Sequence, residues 1–275
     1  MRIQRAEFYK PEEIYREAEN KLKQLAAEGK KADYFSFVPD GEPTLDLNLG
    51  KTIKLLKPLN VKIAVITNAS LLWMDEVKED LLNADWVSVS IDGSDEETWR
   101  KIDRPHRQLN HQRILDGIID FSKQFQGTLV TETMLVQDIN DHEACIEAIA
   151  EQIAVIQPSK AYLLVPTRPP AESNVNRPSP ETLKNAAAII QGTSGVLVEG
   201  ITDDDEEEGF FFTENIANDI LGIASVHPIR EDIIDQLLKK RGADKGILTQ
   251  LLNQGDLVAY QYEGKTFYRR VLQKK

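Results

Sequence analysis

The chain has 275 residues, 41% hydrophobic and 28% charged, enough for one large α/β domain and a small second one. No apolar run approaches the roughly 20 residues that cross a bilayer, and the opening MRIQRAEFYK lacks the apolar core of a signal peptide, which predicts a cytoplasmic protein with no membrane partner. A formal charge of -12 opposes broad attachment to phosphate backbones and disfavours nucleic acid as a partner, while the single cysteine, Cys145, excludes an intrachain disulfide and a Cys-rich metal site.

Residues 11–27 read as a helix, with Pro11 in the first turn, two Glu behind it, and Ile14, Ala18, Leu22 and Leu25 at helical spacing. Residues 34–38 are a short apolar and aromatic run stopped by Pro39-Asp40-Gly41, a buried strand ending in a turn. The unit then repeats: helix 49–56, strand 62–66, helix 74–83, strand 86–91 ending at Asp92-Gly93, helix 111–125, strand 128–136, helix 142–156, strand 161–165 and helix 180–191. Cys145 sits among Ala144, Ile146, Ala148 and Ile149, where a free cysteine acts as a small buried hydrophobe. Apolar strands alternating with amphipathic helices predict a parallel sheet with helices outside, and strands that end in polar turns suggest a barrel whose functional groups gather at the C-terminal strand ends.

Six acidic residues, Asp203 to Glu208, form a predicted solvated loop without the alternation of an EF-hand. Helices are then expected over 215–223, 230–240 and 245–253, with Gly255 capping the last, followed by strands 257–262 and 265–272 around the turn Glu263-Gly264. The domains are thus expected to be 1–212, an incomplete α/β barrel, and 213–275, a winged-helix-like domain. Lys239, Lys240, Arg241, Lys245, Lys265, Arg269 and Arg270 offer phosphate contacts, but the acidic remainder favours an interaction or lid domain.

Chemistry concentrates after the strands. Thr67-Asn68 ends the second. Ser88, Ser90 and Asp92 lie two apart and project to one side of the third. Arg104 carries a guanidinium fork that fits a carboxylate bidentately. Glu132 stands mid-strand, where an unpaired buried carboxylate is costly, so it needs a partner, a wet cavity or a substrate. Arg168, in the stiff loop Pro166-Thr167-Arg168-Pro169-Pro170, is placed to hold an anionic substrate or a cofactor carboxylate. His106, His111, His142 and His227 show no metal-ligand spacing, and there is no Walker loop, nucleophile elbow or dinucleotide fingerprint.

The segment Val38-Pro39-Asp40-Gly41-Glu42-Pro43-Thr44 resembles the Gly-Gly-Glu-Pro segment of the radical S-adenosylmethionine (radical SAM) superfamily, with Asp40 in place of the first Gly. Phe8 to Ile14, Ile66 to Trp73, Thr98 to His106, the run Thr131 to Val136, Pro166 to Glu172 and Val226 to Arg230 resemble, in the same order, a group that includes relatives of the wyosine-forming tRNA enzymes. The resemblance implies S-adenosylmethionine bound by Asp40, Gly41, Glu42, Pro43, Thr67, Asn68, Ser88, Ser90, Asp92 and Arg104, with Glu132 and Arg168 toward an unknown substrate. It also implies a partial (β/α)6 barrel missing its first strand, a 4Fe-4S cluster, and a reductant such as ferredoxin or flavodoxin. The cluster requires a C-x3-C-x2-C loop that this chain does not carry, and without those thiolates the 5'-deoxyadenosyl radical is not made. Two accounts fit: a radical SAM enzyme truncated at its N-terminus and inactive as this chain, or a cluster-free relative that binds a nucleotide or a partner. Truncation is favoured, because losing a first strand leaves its neighbour with an unpaired edge. A tRNA-modifying enzyme is a further alternative, made less attractive by the acidity.

Overall fold

A computed structural model of the chain describes residues 2–38, 41–93, 95–167, 175–201, 216–226, 228–262 and 264–271. It divides into two units, residues 1–165 with 176–201, and residues 166–175 with 202–275. The boundary expected at 212 and 213 lies outside the described residues, as does the acidic run 203–208.

The first unit is built on six strands: β1 (Tyr34–Phe37), β2 (Lys62–Thr67), β3 (Trp86–Ser90), β4 (Thr128–Met134), β5 (Lys160–Leu164) and β6 (Val198–Ile201). All are parallel and lie in chain order. Between them run α1 (Pro11–Ala27), before β1, and α2 (Leu49–Leu56), α3 (Asp75–Leu81), α4 (Glu96–Asp103), α5 (His111–Gln124), α6 (Glu143–Ile156) and α7 (Pro180–Ser194). Each crossover advances by one strand, so every C-terminal strand end falls on the same rim. Ile63, Val65, Val87 and Val89 are fully buried, as expected for a sheet covered on both faces, and they pack with Ile53, Leu81, Phe121, Ile149 and Ile153. Burial of each such side chain is worth about 1.5–3 kcal/mol. Cys145 belongs to this core, as its spacing predicts.

Strands β1 to β5 match their expected positions within two residues, and β6 adds a strand that the sequence reading leaves unassigned. The segment before Arg104 was expected to be helical but without bounds. The structure makes it α4, started by Asp95, whose side chain accepts from the Thr98 N–H at 2.9 Å. Gly93 makes the fold-back possible: a Cβ there would stand 2.5 Å from the Trp99 nitrogen and 2.6 Å from its Cα. Residues 5–8 dock on the loop after β1, where Ala6 N–H donates to the Leu45 carbonyl and Leu47 N–H to the Ala6 carbonyl, both at 2.9 Å, and buried Arg5 ion-pairs with Asp80.

The second unit contains α8 (Ile216–Val226), β7 (Ile229–Arg230), α9 (Glu231–Arg241), α10 (Gly246–Asn253), β8 (Leu257–Tyr262) and β9 (Lys265–Arg270), with an antiparallel sheet in the order β7-β9-β8. The three expected helices and the hairpin are present. Gly255, at φ +73°, closes α10 as anticipated, its N–H donating to the Leu252 carbonyl at 3.1 Å. Strand β7 was not foreseen, since two residues carry no periodicity. Ile220, Ile234, Leu237, Leu248, Leu251, Leu257 and Tyr268 form a separate core. No described helix is long and apolar enough to cross a membrane.

Candidate functional site

At the rim of the first unit lies a cavity of about 300 Å³. Gly41 and Glu42 after β1, Asn68 and Ser70 after β2, and Trp99, Asp103 and His106 from α4 and the turn behind it contribute to its walls, with Arg2 and Ile3 from the N-terminal segment. Two non-glycine residues with positive φ flank these walls, Ala69 at +59° and Arg104 at +46°. Such backbone costs about 1 kcal/mol or more and gathers where tertiary structure imposes a loop shape.

Glu42 is the keystone of one wall. Its Oε1 accepts from the Thr44 N–H at 3.0 Å, the Thr44 hydroxyl at 2.7 Å and the Thr67 hydroxyl at 2.5 Å, and its Oε2 accepts from the Asn68 N–H at 2.9 Å. The carboxylate thereby ties the β1 loop to the end of β2. Pro43 opens the 3-10 turn 43–45 that Glu42 caps. Thr67 is buried, its hydroxyl also accepting the Ala69 N–H at 3.0 Å. Asn68 shapes the next turn by accepting the Ser70 N–H at 3.0 Å.

The other wall leads to a group of acids. Asp103, the last residue of α4, lines the cavity and is hydrogen-bonded to Asp92. Asp92 is 8% exposed and its Oδ1 accepts from the Met134 N–H at 2.6 Å. Burial, followed by the neighbouring Asp103 charge, pushes the Asp92 carboxyl well up. Burial pushes Asp103 up to about 6, against the lowering effect of its bond from Asp92. Two neighbouring acids in a dry site cannot both ionise cheaply, which favours the protonated form of the pair. Glu132 adds a third negative charge that Asp92 feels, and its own carboxyl is raised by burial. The Ser88 hydroxyl donates to Glu132 Oε1 at 2.6 Å, which supplies the partner that a mid-strand carboxylate needs. Ser90 faces Glu132 in the register of β3 and β4.

The sequence-predicted residues thus fall into two groups. Gly41, Glu42 and Asn68 wall the cavity, with Pro43 and Thr67 behind them. Ser88, Ser90, Asp92 and Glu132 lie along β3 and β4, and Asp103 links Asp92 to the cavity. Arg104 caps α4 in a left-handed conformation and does not line the cavity. Asp40 and Arg168 lie outside the described residues. Asp103, Trp99, His106, Ser70, Arg2 and Ile3 were not singled out as site residues, since their meeting depends on how α4 and the N-terminal segment fold back.

The sequence profile of the Radical SAM superfamily matches residues 2–149. The chain belongs to the radical SAM superfamily. It is 41% identical over 268 residues to the UPF0026 protein of Methanocaldococcus jannaschii, covering 98% of this chain and 83% of that protein. It is 32% identical over 118 residues to the S-adenosyl-L-methionine-dependent tRNA 4-demethylwyosine synthase TYW1 of Danio rerio, over 43% of this chain and 15% of that one. Among solved structures, TYW1 with a lysine-pyruvate adduct bound shares the fold, with a TM-score of 0.57 and 17% identity, across 74% of this chain and 70% of that chain.

Membership in the radical SAM superfamily implies S-adenosylmethionine and a 4Fe-4S cluster. The rim cavity fits the first, with carboxylate, amide and hydroxyl groups beside an indole wall. The cluster does not fit these residues. Cys145 is buried in α6, and among the described residues no group of three or more His, Cys, Asp or Glu is placed to hold a metal.

Proposed function

We propose that the rim cavity binds S-adenosylmethionine and that this chain supplies the cofactor-binding part of a radical SAM enzyme. The observation that carries the reading is the convergence of Gly41, Glu42 and Asn68 with Trp99 and Asp103 around one cavity at the parallel strand ends. Because Glu42 already accepts four hydrogen bonds, its role is to hold the loop, leaving main-chain acceptors of Gly41 for an ammonium group. Asp103 offers an acceptor to ribose hydroxyls, with Asp92 behind it. Arg104 is assigned to the cofactor carboxylate, and Glu132 and Arg168 to the substrate. Thiolates for a cluster have to come from outside these 275 residues, so this chain alone carries out no cluster-dependent step. The order of helices and hairpin over 216–270 supports a winged-helix reading of the second unit.

Calorimetry of the full chain with S-adenosylmethionine tests the proposal. One-site binding is expected, weakened at least tenfold by Ser70→Trp, which fills the cavity, and by Asp103→Asn. Titration heats that are absent, or unchanged in both variants, overturn the assignment.

A further inference from the structure

Residues 257–275 are locally basic in this acidic chain, as are residues 100–113, which hold five Lys or Arg and one Asp. Residues 257–275 hold five Lys or Arg and one Glu, whereas the other 256 residues hold 28 Lys or Arg and 44 Asp or Glu. Antiparallel pairing decides which side chains share a face, because directly opposed residues project the same way. The register pairs Val258 with Arg269, Tyr260 with Phe267, and Tyr262 with Lys265. These six residues therefore lie on one face of the β8–β9 ribbon. The opposite face carries Leu257 and Tyr268 into the helical core.

The six form an ordered array. Phe267 is buried, with the Tyr260 ring stacked at 6.4 Å between centroids and the Tyr262 ring edge-on at 6.2 Å. Val258, Lys265 and Arg269 are exposed, and the two tyrosines are half-buried. Arg269 makes no salt bridge with any described acidic residue, and its charge acts on the Tyr260 phenol. Half-buried tyrosines edged by exposed cations offer ring surface to a flat base and positive charge to a phosphate some ångströms away.

We propose that this face of the β8–β9 ribbon binds a single-stranded stretch of nucleic acid, with bases stacked on Tyr260 and Tyr262 and phosphates met by Lys265 and Arg269. A short hydrophobic peptide would leave both cations unused, and an anionic protein would leave the tyrosines unused. A duplex keeps its base faces stacked internally, so only its phosphates would be engaged. The other basic stretch, residues 100–113, carries Trp99 beside it but no paired tyrosines, so loss of the ribbon's rings distinguishes the two. The inference does not use the rim cavity and stands apart from the S-adenosylmethionine reading.

Fluorescence anisotropy of labelled 12-nucleotide RNA and DNA strands, and of the corresponding duplexes, with the full chain provides the test. Both single strands are expected to bind more tightly than the duplexes. Two neutralised phosphates predict a slope of log affinity against log salt of about -1.4, reduced to about -0.7 in Arg269→Gln. Tyr262→Ala and Tyr260→Ala should each weaken binding about tenfold, whereas Tyr260→Phe, which keeps the ring, should stay within about twofold. If Tyr260→Ala fails to fold by circular dichroism, Tyr262→Ala and Arg269→Gln still decide. Absence of binding, duplex binding as tight as single-strand binding, or affinity indifferent to loss of the tyrosine rings overturns the proposal.

Discussion

Glu42 and Asp103 wall the same cavity, yet Glu42 accepts four hydrogen bonds while Asp103 is held by another acid. The difference separates two uses of a carboxylate in a partly dry rim. Surrounded by donors, Glu42 acts as a fastener between two loops. Asp103, buried beside Asp92 and pushed up to about 6, is poised between charge states where it lines the cavity. The cavity is therefore rigid on the side of β1 and β2 and electrostatically adjustable on the side of α4.

The largest test of this contrast is Glu42→Ala. It strands the Thr67 hydroxyl and Thr44 N–H in a buried site and is expected to lower unfolding stability by about 3 kcal/mol in urea titrations. A loss under about 1 kcal/mol would show that Glu42 is not the fastener.

Asp103 gives the next largest effect, visible in its pH dependence. Its folded-state pKa of about 6 lies above the ordinary Asp value of 3.8, so the stability it contributes is fully present below about 4 and is lost as pH rises through about 6. Relative to Asp103→Asn, the wild type should lose about 2 kcal/mol across that window, measured by chemical denaturation at stepped pH. A constant difference between the two proteins would mean that the Asp103 carboxyl is not pushed up in solution.

Glu132→Gln should have the smallest effect. The amide oxygen still accepts from Ser88, and the buried charge disappears, so stability at neutral pH should change by less than about 0.5 kcal/mol, and upward. A loss of 2 kcal/mol or more would indicate a further partner that requires the charge.

Much of the scaffold was legible in the chain. Runs such as Lys62–Thr67 and Trp86–Ser90 are rich in β-branched residues and buried on both faces, which fixes strand identity locally. The segment VPDGEPT, at the end of a strand, pointed to Gly41 and Glu42 through its resemblance to the radical SAM Gly-Gly-Glu-Pro segment. The alternation of Ser88, Ser90 and Asp92 revealed a shared face. Glu42 could be read either as charge supply or as loop support, and its four donors come from residues 44, 67 and 68, a set that no local pattern announces.

Other features were invisible for the same reason. Asp103 sits 11 positions beyond Asp92, and the two meet only because α4 turns back over the end of β3, where Gly93 leaves room for Trp99. Arg2 and Ile3 form cavity wall because residues 5–8 dock on residues 45–47. On the ribbon, a net charge of -12 spoke against nucleic acid, whereas strand register brings Lys265, Arg269 and three aromatic rings onto one face. By itself the sequence determined the parallel α/β scaffold, the helices and hairpin of the second unit, the family and the absence of cluster thiolates, because periodicity, motif order and composition are properties of neighbouring residues. Tertiary structure alone decided which acids adjoin, which carboxylate fastens two loops and which rings share a face with Lys265 and Arg269, because those depend on contacts between separate elements.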